Sequence, residues 1–127
     1  MRVLVCGGRD YGFRLDTTGK KQHNQEHWEC LYGELDKYIP DFTCLIAGGA
    51  TGADQMAERW ARDRQLPYLI FPAQWYKYEK KAGYLRNKQM LDEGKPDLVI
   101  AFPGGKGTAM MVKLAEEAGV EVIKIEH

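Results

Sequence analysis

The residues best suited to chemistry form a glycine-rich turn at 103–108, with the sequence Pro-Gly-Gly-Lys-Gly-Thr. An apolar run at 98–101 precedes the turn, and a helical pattern follows it over 108–118. A strand, a glycine-rich turn and a helix in this order direct several backbone N–H groups and the positive end of a helix dipole at one point. We therefore expect an anion-binding site at this turn.

Two further apolar runs end in the same way. Residues 2–6 are followed by Gly7-Gly8-Arg9, and residues 42–47 are followed by 48–54, with the sequence Gly-Gly-Ala-Thr-Gly-Ala-Asp. One glycine turn alone can reflect nothing more than a backbone that needs positive φ. In a parallel sheet, however, three such turns meet at the carboxyl edge, where open α/β folds bind ligands. The repetition favours a binding site.

The elements that must position these turns alternate between strands and helices. Apolar runs without a period of two are typical of strands buried on both faces. We predict strands at 2–6, 42–47, 68–71, 98–101 and 120–125, and helices at 28–38 (ended by Pro40), 53–61, 82–93 and 108–118. This order predicts a Rossmann-like three-layer α/β/α sandwich with a mostly parallel five-stranded sheet, in a single domain spanning 1–127.

Two segments fall outside this alternation. The polar segment 13–25 is predicted to be a long loop, and because such loops in compact domains are usually functional or mobile, we expect a flexible lid that becomes ordered over a ligand. The segment 74–81 is aromatic and basic. It is either a partly exposed loop over a sheet edge, or a stacking surface for a base or a subunit interface.

Composition excludes several classes of function. The 127 residues include 18 lysines and arginines and 18 aspartates and glutamates, so the formal net charge is zero. Non-specific nucleic-acid binding needs a clustered basic excess, so nucleic acid is not an expected partner. No apolar run approaches the roughly 20 residues that cross a bilayer, and the N-terminus has no signal-peptide pattern. We expect a cytoplasmic protein that does not associate with membranes.

Neither the cysteines nor the histidines indicate a metal site. Cys6, Cys30 and Cys44 have no CxxC spacing, and their odd number argues against a secreted disulfide framework. His23 and His27 are four residues apart but have no evident third ligand. We expect buried thiols, no metal and no cofactor.

The familiar phosphate motifs do not match. A P-loop requires GxxxxGK followed by Ser or Thr, which the turn at 103–108 lacks. The first turn, 7–12, is not GxGxxG, and no acidic residue ends the second strand to hold a ribose. These differences disfavour a Walker-type NTPase and an ordinary NAD-dependent dehydrogenase.

Three motifs instead resemble the SLOG superfamily, the Rossmann-like group named for the Smf/DprA and Lonely Guy proteins. They lie at 48–54, at 86–90 (Arg-Asn-Lys-Gln-Met) and at 102–108. Residues 3–11 and 72–75 (Pro-Ala-Gln-Trp) narrow the resemblance to the small YspA-like, YpsA-related branch. The similarity covers nearly the whole chain apart from 13–25.

The resemblance implies that a nucleotide or nucleotide-derived ligand binds at the carboxyl edge of the sheet. Lys106 and Arg86 are possible charge partners for a phosphate at the last turn, although Lys106 has a solvated side chain as its alternative. Asp54 either bonds a ribose hydroxyl or caps the second helix. The candidate ligand-binding residues are Gly7, Gly8, Arg9, Gly48, Gly49, Thr51, Asp54, Arg86, Asn87, Pro103, Gly104, Gly105, Lys106, Gly107 and Thr108.

The resemblance also raises the possibility of an enzyme. Lonely Guy enzymes cleave the base from a nucleoside monophosphate with a PGGxGTxxE motif and an arginine on the preceding helix. Arg86 matches that arginine, but Met111 stands at the glutamate position, and a thioether is neither an acid nor a base.

Our leading hypothesis is therefore ligand binding without an assigned reaction. The alternative is a hydrolase of an N-glycosidic or phosphate bond that uses Asp54 or Asp10 instead of the glutamate. A DNA-handling role like that of the Smf/DprA relatives is disfavoured by the zero net charge. Because SLOG relatives commonly pair and residues 75–78 offer apolar surface, we also expect a homo-oligomer.

Overall fold

The computed structural model describes residues 1–73 and 81–126. Its strands are β1 (Arg2–Cys6), β2 (Phe13–Leu15), β3 (Lys21–His23), β4 (Cys44–Ala47), β5 (Tyr68–Ile70), β6 (Leu98–Ala101) and β7 (Glu121–Lys124). Its α-helices are α1 (Gln25–Asp36), α2 (Ala53–Asp63), α3 (Ala82–Gly94) and α4 (Lys106–Glu117), with a 3₁₀ turn at Ile39–Asp41. The aromatic and basic patch predicted at 74–81 lies outside the described residues except for Lys81, so the expected homo-oligomer stays a prediction.

Five of the strands form one parallel sheet in the order β5-β4-β1-β6-β7. This confirms the predicted Rossmann-like fold with its five-stranded parallel sheet. The chain begins in the middle of the sheet, proceeds outward through β4 and β5, and returns to the other side of β1 at β6. Strand order therefore reverses between β1 and β6, and the crevice at such a reversal is where open α/β sheets bind ligands.

The central strands are buried on both faces, as their uniform apolar sequence predicts. In β1, Val3 and Val5 face the layer that contains α1 and α2, whereas Leu4 faces the layer that contains α3 and α4. Each face has its own apolar core, because successive side chains of a strand point to opposite sides. The predicted apolar face of α2 is entirely buried: Ala53, Met56, Ala57, Trp60 and Ala61. The sheet is thus held rigidly between two helical layers.

The prediction of a loop at 13–25 is wrong, because this segment contains an antiparallel hairpin of β2 and β3. Asp16 organises its turn by accepting hydrogen bonds from the backbone N–H groups of Thr18 (2.8 Å) and Lys20 (2.9 Å). Bonds from a short polar side chain to nearby backbone stabilise such turns without apolar residues. Because β2 and β3 lack a buried face of alternating apolar residues, the sequence pattern did not reveal them.

Helix boundaries also differ from the prediction. Helix α1 spans Gln25–Asp36 instead of the predicted 28–38, so it ends before Pro40. Pro40 lies in the 3₁₀ turn, where a missing N–H costs little. Helix α4 begins at Lys106, two residues earlier than predicted. This second difference matters for the site, because it places the last part of the glycine-rich turn inside the first turn of a helix. Among the described residues, no helix is long and apolar enough to cross a membrane.

The three glycine turns at the carboxyl edge are hydrogen-bonded to one another through Gly8. Its N–H donates to the carbonyl of Pro103 (2.9 Å), and its carbonyl accepts from Ala53 N (3.2 Å). Gly52 has a φ of +82°, and a Cβ at this position would collide with the carbonyl groups of Gly8 and Arg9. The turns therefore pack backbone against backbone.

We predict that Gly52→Ala destabilises the protein by about 2 kcal/mol or more, since the backbone strain and the collision add. The matched control is Gly19→Ala in the hairpin, which has a φ of +85° but no atom within 4 Å of the added Cβ. That control should lose only about 1 kcal/mol. Urea denaturation measures both, and equal losses would contradict the close packing of the turns.

Candidate functional site

A cleft of about 390 Å³ opens at the carboxyl edge of the sheet, at the point where strand order reverses. Its walls come from four parts of the chain: the turn after β1, the start of α2 with the turn before it, one face of α3, and the first turns of α4. Residues far apart in sequence therefore meet here.

Nine of the predicted site residues line this cleft: Gly7, Gly8, Arg9, Asp54, Arg86, Asn87, Gly105, Gly107 and Thr108. Gly48 and Gly49 line a side cavity of about 230 Å³ that shares Arg9 and Arg86 with the cleft.

The other predicted residues lie around the cleft. Pro103 and Gly104 line a cavity of about 430 Å³ that shares Gly105 and Thr108 with it. Thr51 and Lys106 line none of these three cavities. Thr51 instead donates its hydroxyl to the carbonyl of Arg9 (3.3 Å) and so links two of the turns.

Arg86 is held in a defined position on α3. Its Nη1 donates to the carbonyl of Gly48 (2.7 Å), and its Nε donates to Oδ1 of the buried Asn87 (3.0 Å). These bonds use two of the five N–H groups of a guanidinium. Burial lowers the pKa of Arg86 and the Asp54 carboxylate opposes that shift. The side chain is a fixed positive charge in the cleft wall.

Asp54 is almost completely buried, with 7% of its surface exposed. It does not occupy the N-cap position of α2, which belongs to Gly52, and its Oδ2 accepts from the N–H of Ala50 in the preceding turn (3.1 Å). Burial raises the pKa of Asp54 to about 6, against the opposing effects of the Ala50 N–H and of the Arg86 and Arg9 charges. The carboxyl can therefore change charge near neutral pH.

The N-terminus of α4 is open toward the cleft. Gly105 is its N-cap residue and no side chain caps the helix, so the first N–H groups lack partners within the helix. A Cβ at Gly105 or Gly107 would meet no atom within 4 Å. A Cβ at Gly104, in contrast, would collide with Thr108 and with the backbone N of Gly8. Gly104 therefore allows the turns to approach, while the other two glycines leave space beside the helix end.

Sulfur-containing side chains form an apolar part of the cleft, which the sequence analysis did not predict although it noted Met111 in place of a glutamate. Cys6, Met90 and Met111 are buried, and Met110 lines the cleft with them. Burial raises the pKa of Cys6 to about 12, with a contribution from the charge of Asp54, so its thiol stays neutral. The sequence spacing could have predicted this, because residues three or four positions apart lie on the same face of a helix. Met90 follows Arg86 by four residues, and Met111 follows Thr108 by three.

Other candidate residues are placed elsewhere. Asp10 is exposed and pairs with Lys21 of the hairpin (2.7 Å), and it is absent from the cleft lining. His27 stacks on Tyr11 with 4.3 Å between ring centroids, and its Nδ1 accepts from Gly12 N (2.9 Å). No residue of β2 or β3 lines the cleft in the described structure.

The chain is similar to a described protein family and to a phage protein. The family model described as the YspA, cpYpsA-related SLOG family matches residues 1–78. The chain is also 36% identical over 129 residues to the gene 61 protein of Mycobacterium phage D29, and the match covers 96% of this chain and 94% of the phage protein.

We predict that Asp54 makes the folded protein less stable as the pH rises. Its folded-state pKa of about 6 exceeds its ordinary value of 3.8. Protonation of Asp54 therefore stabilises the folded state fully below about pH 4, and this contribution is lost as the pH rises through about 6. The free energy of unfolding should fall by about 3 kcal/mol over this range.

Urea denaturation of the wild type and Asp54→Asn across this range tests the prediction. Asp54→Asn should be the more stable protein at about pH 7.5 and should approach the wild type at about pH 4, because asparagine carries no charge to bury. Asp10→Asn, which changes an exposed carboxylate, is the control. A difference between wild type and Asp54→Asn that does not vary with pH would contradict the assignment.

Proposed function

The chain belongs to the YspA, cpYpsA-related SLOG family, and from this premise we propose that it binds a nucleotide or nucleotide-derived ligand in the cleft. Membership of the family is consistent with such a ligand. The observation that carries the proposal is the convergence of the open N-terminus of α4 with the fixed Arg86 guanidinium in one cleft. The N-terminus of a helix and a guanidinium group both bind phosphate, through N–H groups and positive charge.

In this proposal the phosphate lies at the first turn of α4. The backbone N–H groups of Gly105, Gly107 and Thr108 and the hydroxyl of Thr108 donate to its oxygens, and Arg86 supplies positive charge. Gly105 and Gly107 have no side chain that would obstruct the approach. Lys106, which begins α4, adds a positive charge near the same helix end, although it does not line the cleft.

The remainder of the cleft suits the other parts of a nucleotide. Asp54 and Asn87 offer polar groups to a sugar, while Met90 and Met110 offer polarizable apolar surface to a base. The side cavity at Gly48 and Gly49 extends the space beyond Arg86. A few polar groups placed in a mainly apolar cleft are typical of small-molecule sites.

A thermal-shift panel with AMP, ADP, ATP, NAD, ADP-ribose, cyclic nucleotides and free phosphate tests the proposal. A ligand at about 100 times its Kd stabilises the folded state by roughly 2.7 kcal/mol, which raises Tm by several degrees. Arg86→Gln should lose most of this shift, because it removes the charge and keeps much of the side-chain length.

Gly107→Ala tests the position of the phosphate. Helical Cβ atoms point toward the N-terminus, so the added methyl group projects toward the proposed phosphate and should abolish the ligand shift. Gly33→Ala in α1 is the matched control, because its Cβ also meets no atom within 4 Å and it lies away from the cleft. Without ligand, both variants should be as stable as the wild type or more stable by up to about 1 kcal/mol, because glycine in a helix is less favourable than alanine. A full ligand shift in Gly107→Ala would contradict the phosphate position.

The Asp54 carboxyl favours one second candidate, hydrolysis of the N-glycosidic bond of a nucleotide. A buried carboxyl with a pKa of about 6 beside the ligand space is suited to accept a proton from an attacking water. The base would leave with a proton and the sugar carbon would gain the hydroxyl. Chromatography for free base, with wild type and Asp54→Asn, separates the candidates. We expect ligand binding without release of base; release that Asp54→Asn abolishes would establish the second candidate.

A further inference from the structure

We propose that an anionic ligand enters the cleft together with a proton, and that the carboxyl group of Asp54 carries this proton. The inference rests on the proposed function and adds a regulation of the same site. It makes the affinity of the protein for its ligand depend on pH within the physiological range.

Geometry places Asp54 where it must respond to an anion. It lines the same cleft as Arg86. The two side chains also approach the same backbone position: a Cβ added at Gly48 would collide with the Arg86 guanidinium and would lie 2.9 Å from Asp54 Oδ2. An anion that approaches Arg86 therefore comes close to the carboxyl group. With 7% of its surface exposed, Asp54 has little water to screen it.

The charged and titratable groups that face Asp54 come from three elements. Cys6 faces it from β1, Arg9 from the turn after β1, and Arg86 from α3. Burial keeps the Cys6 thiol neutral, with a pKa of about 12, and the Asp54 carboxylate opposes the lowering of the pKa of Arg86 by burial. Among these groups, Asp54 is the one whose charge changes between about pH 5 and pH 8.

Binding of an anion raises the proton affinity of Asp54 in two ways. The ligand removes the remaining water from the carboxyl group, and it brings a second negative charge next to it. A protonated carboxyl group no longer repels the anion, and its O–H can donate to a ligand oxygen. By linkage, whatever strengthens proton binding when the ligand is bound also strengthens ligand binding when the proton is bound.

The test needs probes whose own charge is constant, since the phosphate of a nucleoside monophosphate titrates near neutral pH. Inorganic sulfate and adenosine 5′-sulfate keep the same charge from about pH 5 to pH 8. Their Kd values for the wild type, measured by NMR titration and calorimetry, should rise with pH. The change should be about tenfold for each unit by which the ligand raises the pKa of Asp54.

Two variants decide whether Asp54 is the group that binds the proton. Asp54→Asn resembles the protonated carboxyl group in charge and shape, so it should bind both probes at about pH 8 as tightly as the wild type does at about pH 5 and lose the pH dependence. Asp10→Asn should behave as the wild type, since Asp10 is exposed and lies outside the cleft lining. Calorimetry of the wild type in buffers of different ionisation enthalpy should show proton uptake on binding, which Asp54→Asn lacks.

Several results would overturn the inference. Affinity that rises with pH would mean that the ligand donates to the carboxylate and releases the proton, and an unchanged pH dependence in Asp54→Asn would assign the proton to another group. Nucleotide binding without any pH dependence of sulfate binding would overturn the inference while the proposed function stands. If no nucleotide and no sulfate binds at any pH, the proposed function fails and the inference fails with it.

Discussion

The structure depends on close backbone contact between three turns, with Gly8 at their centre. Gly8 bonds both to the turn after β6 and to the start of α2, and neither Gly52 nor Gly104 has space for a Cβ. Because the three strands are parallel and adjacent, their carboxyl ends meet at one edge, and small residues let the turns there approach to hydrogen-bond distance. This contact sets the relative position of α2 and α4, and thus the shape of the cleft between them.

Burial of the polar groups in the cleft is unfavourable for the stability of the folded protein. Asp54 and Asn87 are buried, and Arg86 is largely enclosed beside apolar and sulfur-containing side chains. Burial of polar and charged groups lowers stability unless hydrogen bonds compensate, and here Ala50, Gly48 and Asn87 provide those bonds. Perturbed ionisable groups in a cleft are a frequent sign of function. The same bonds orient Arg86 and Asp54 before any ligand arrives, which reduces the entropy that binding would cost.

The pattern of the sequence predicted the sheet better than it predicted the surface around it. Uniform apolar runs mark β1, β4 and β6 because strands buried on both faces need apolar side chains at every position. The hairpin of β2 and β3 has no such signal, since Asp16 stabilises it through local bonds to backbone. The predicted start of α4 was late because neither Lys106 nor Gly107 favours the first turn of a helix: the helix dipole disfavours a cation there, and glycine is a poor helix former.

By itself, the sequence determined the alternation of strands and helices, the positions of the three glycine turns and a list of candidate site residues, because these follow from local composition and spacing. Only the tertiary structure decided which of them share one cleft: Arg86 and Asp54 meet there, whereas Asp10 pairs with Lys21 outside it. The tertiary structure also placed Met90 and Met111 beside the charged groups and raised the pKa of Asp54. The physical reason is that burial and electrostatic environment are set by contacts between distant segments, and no local pattern records those contacts.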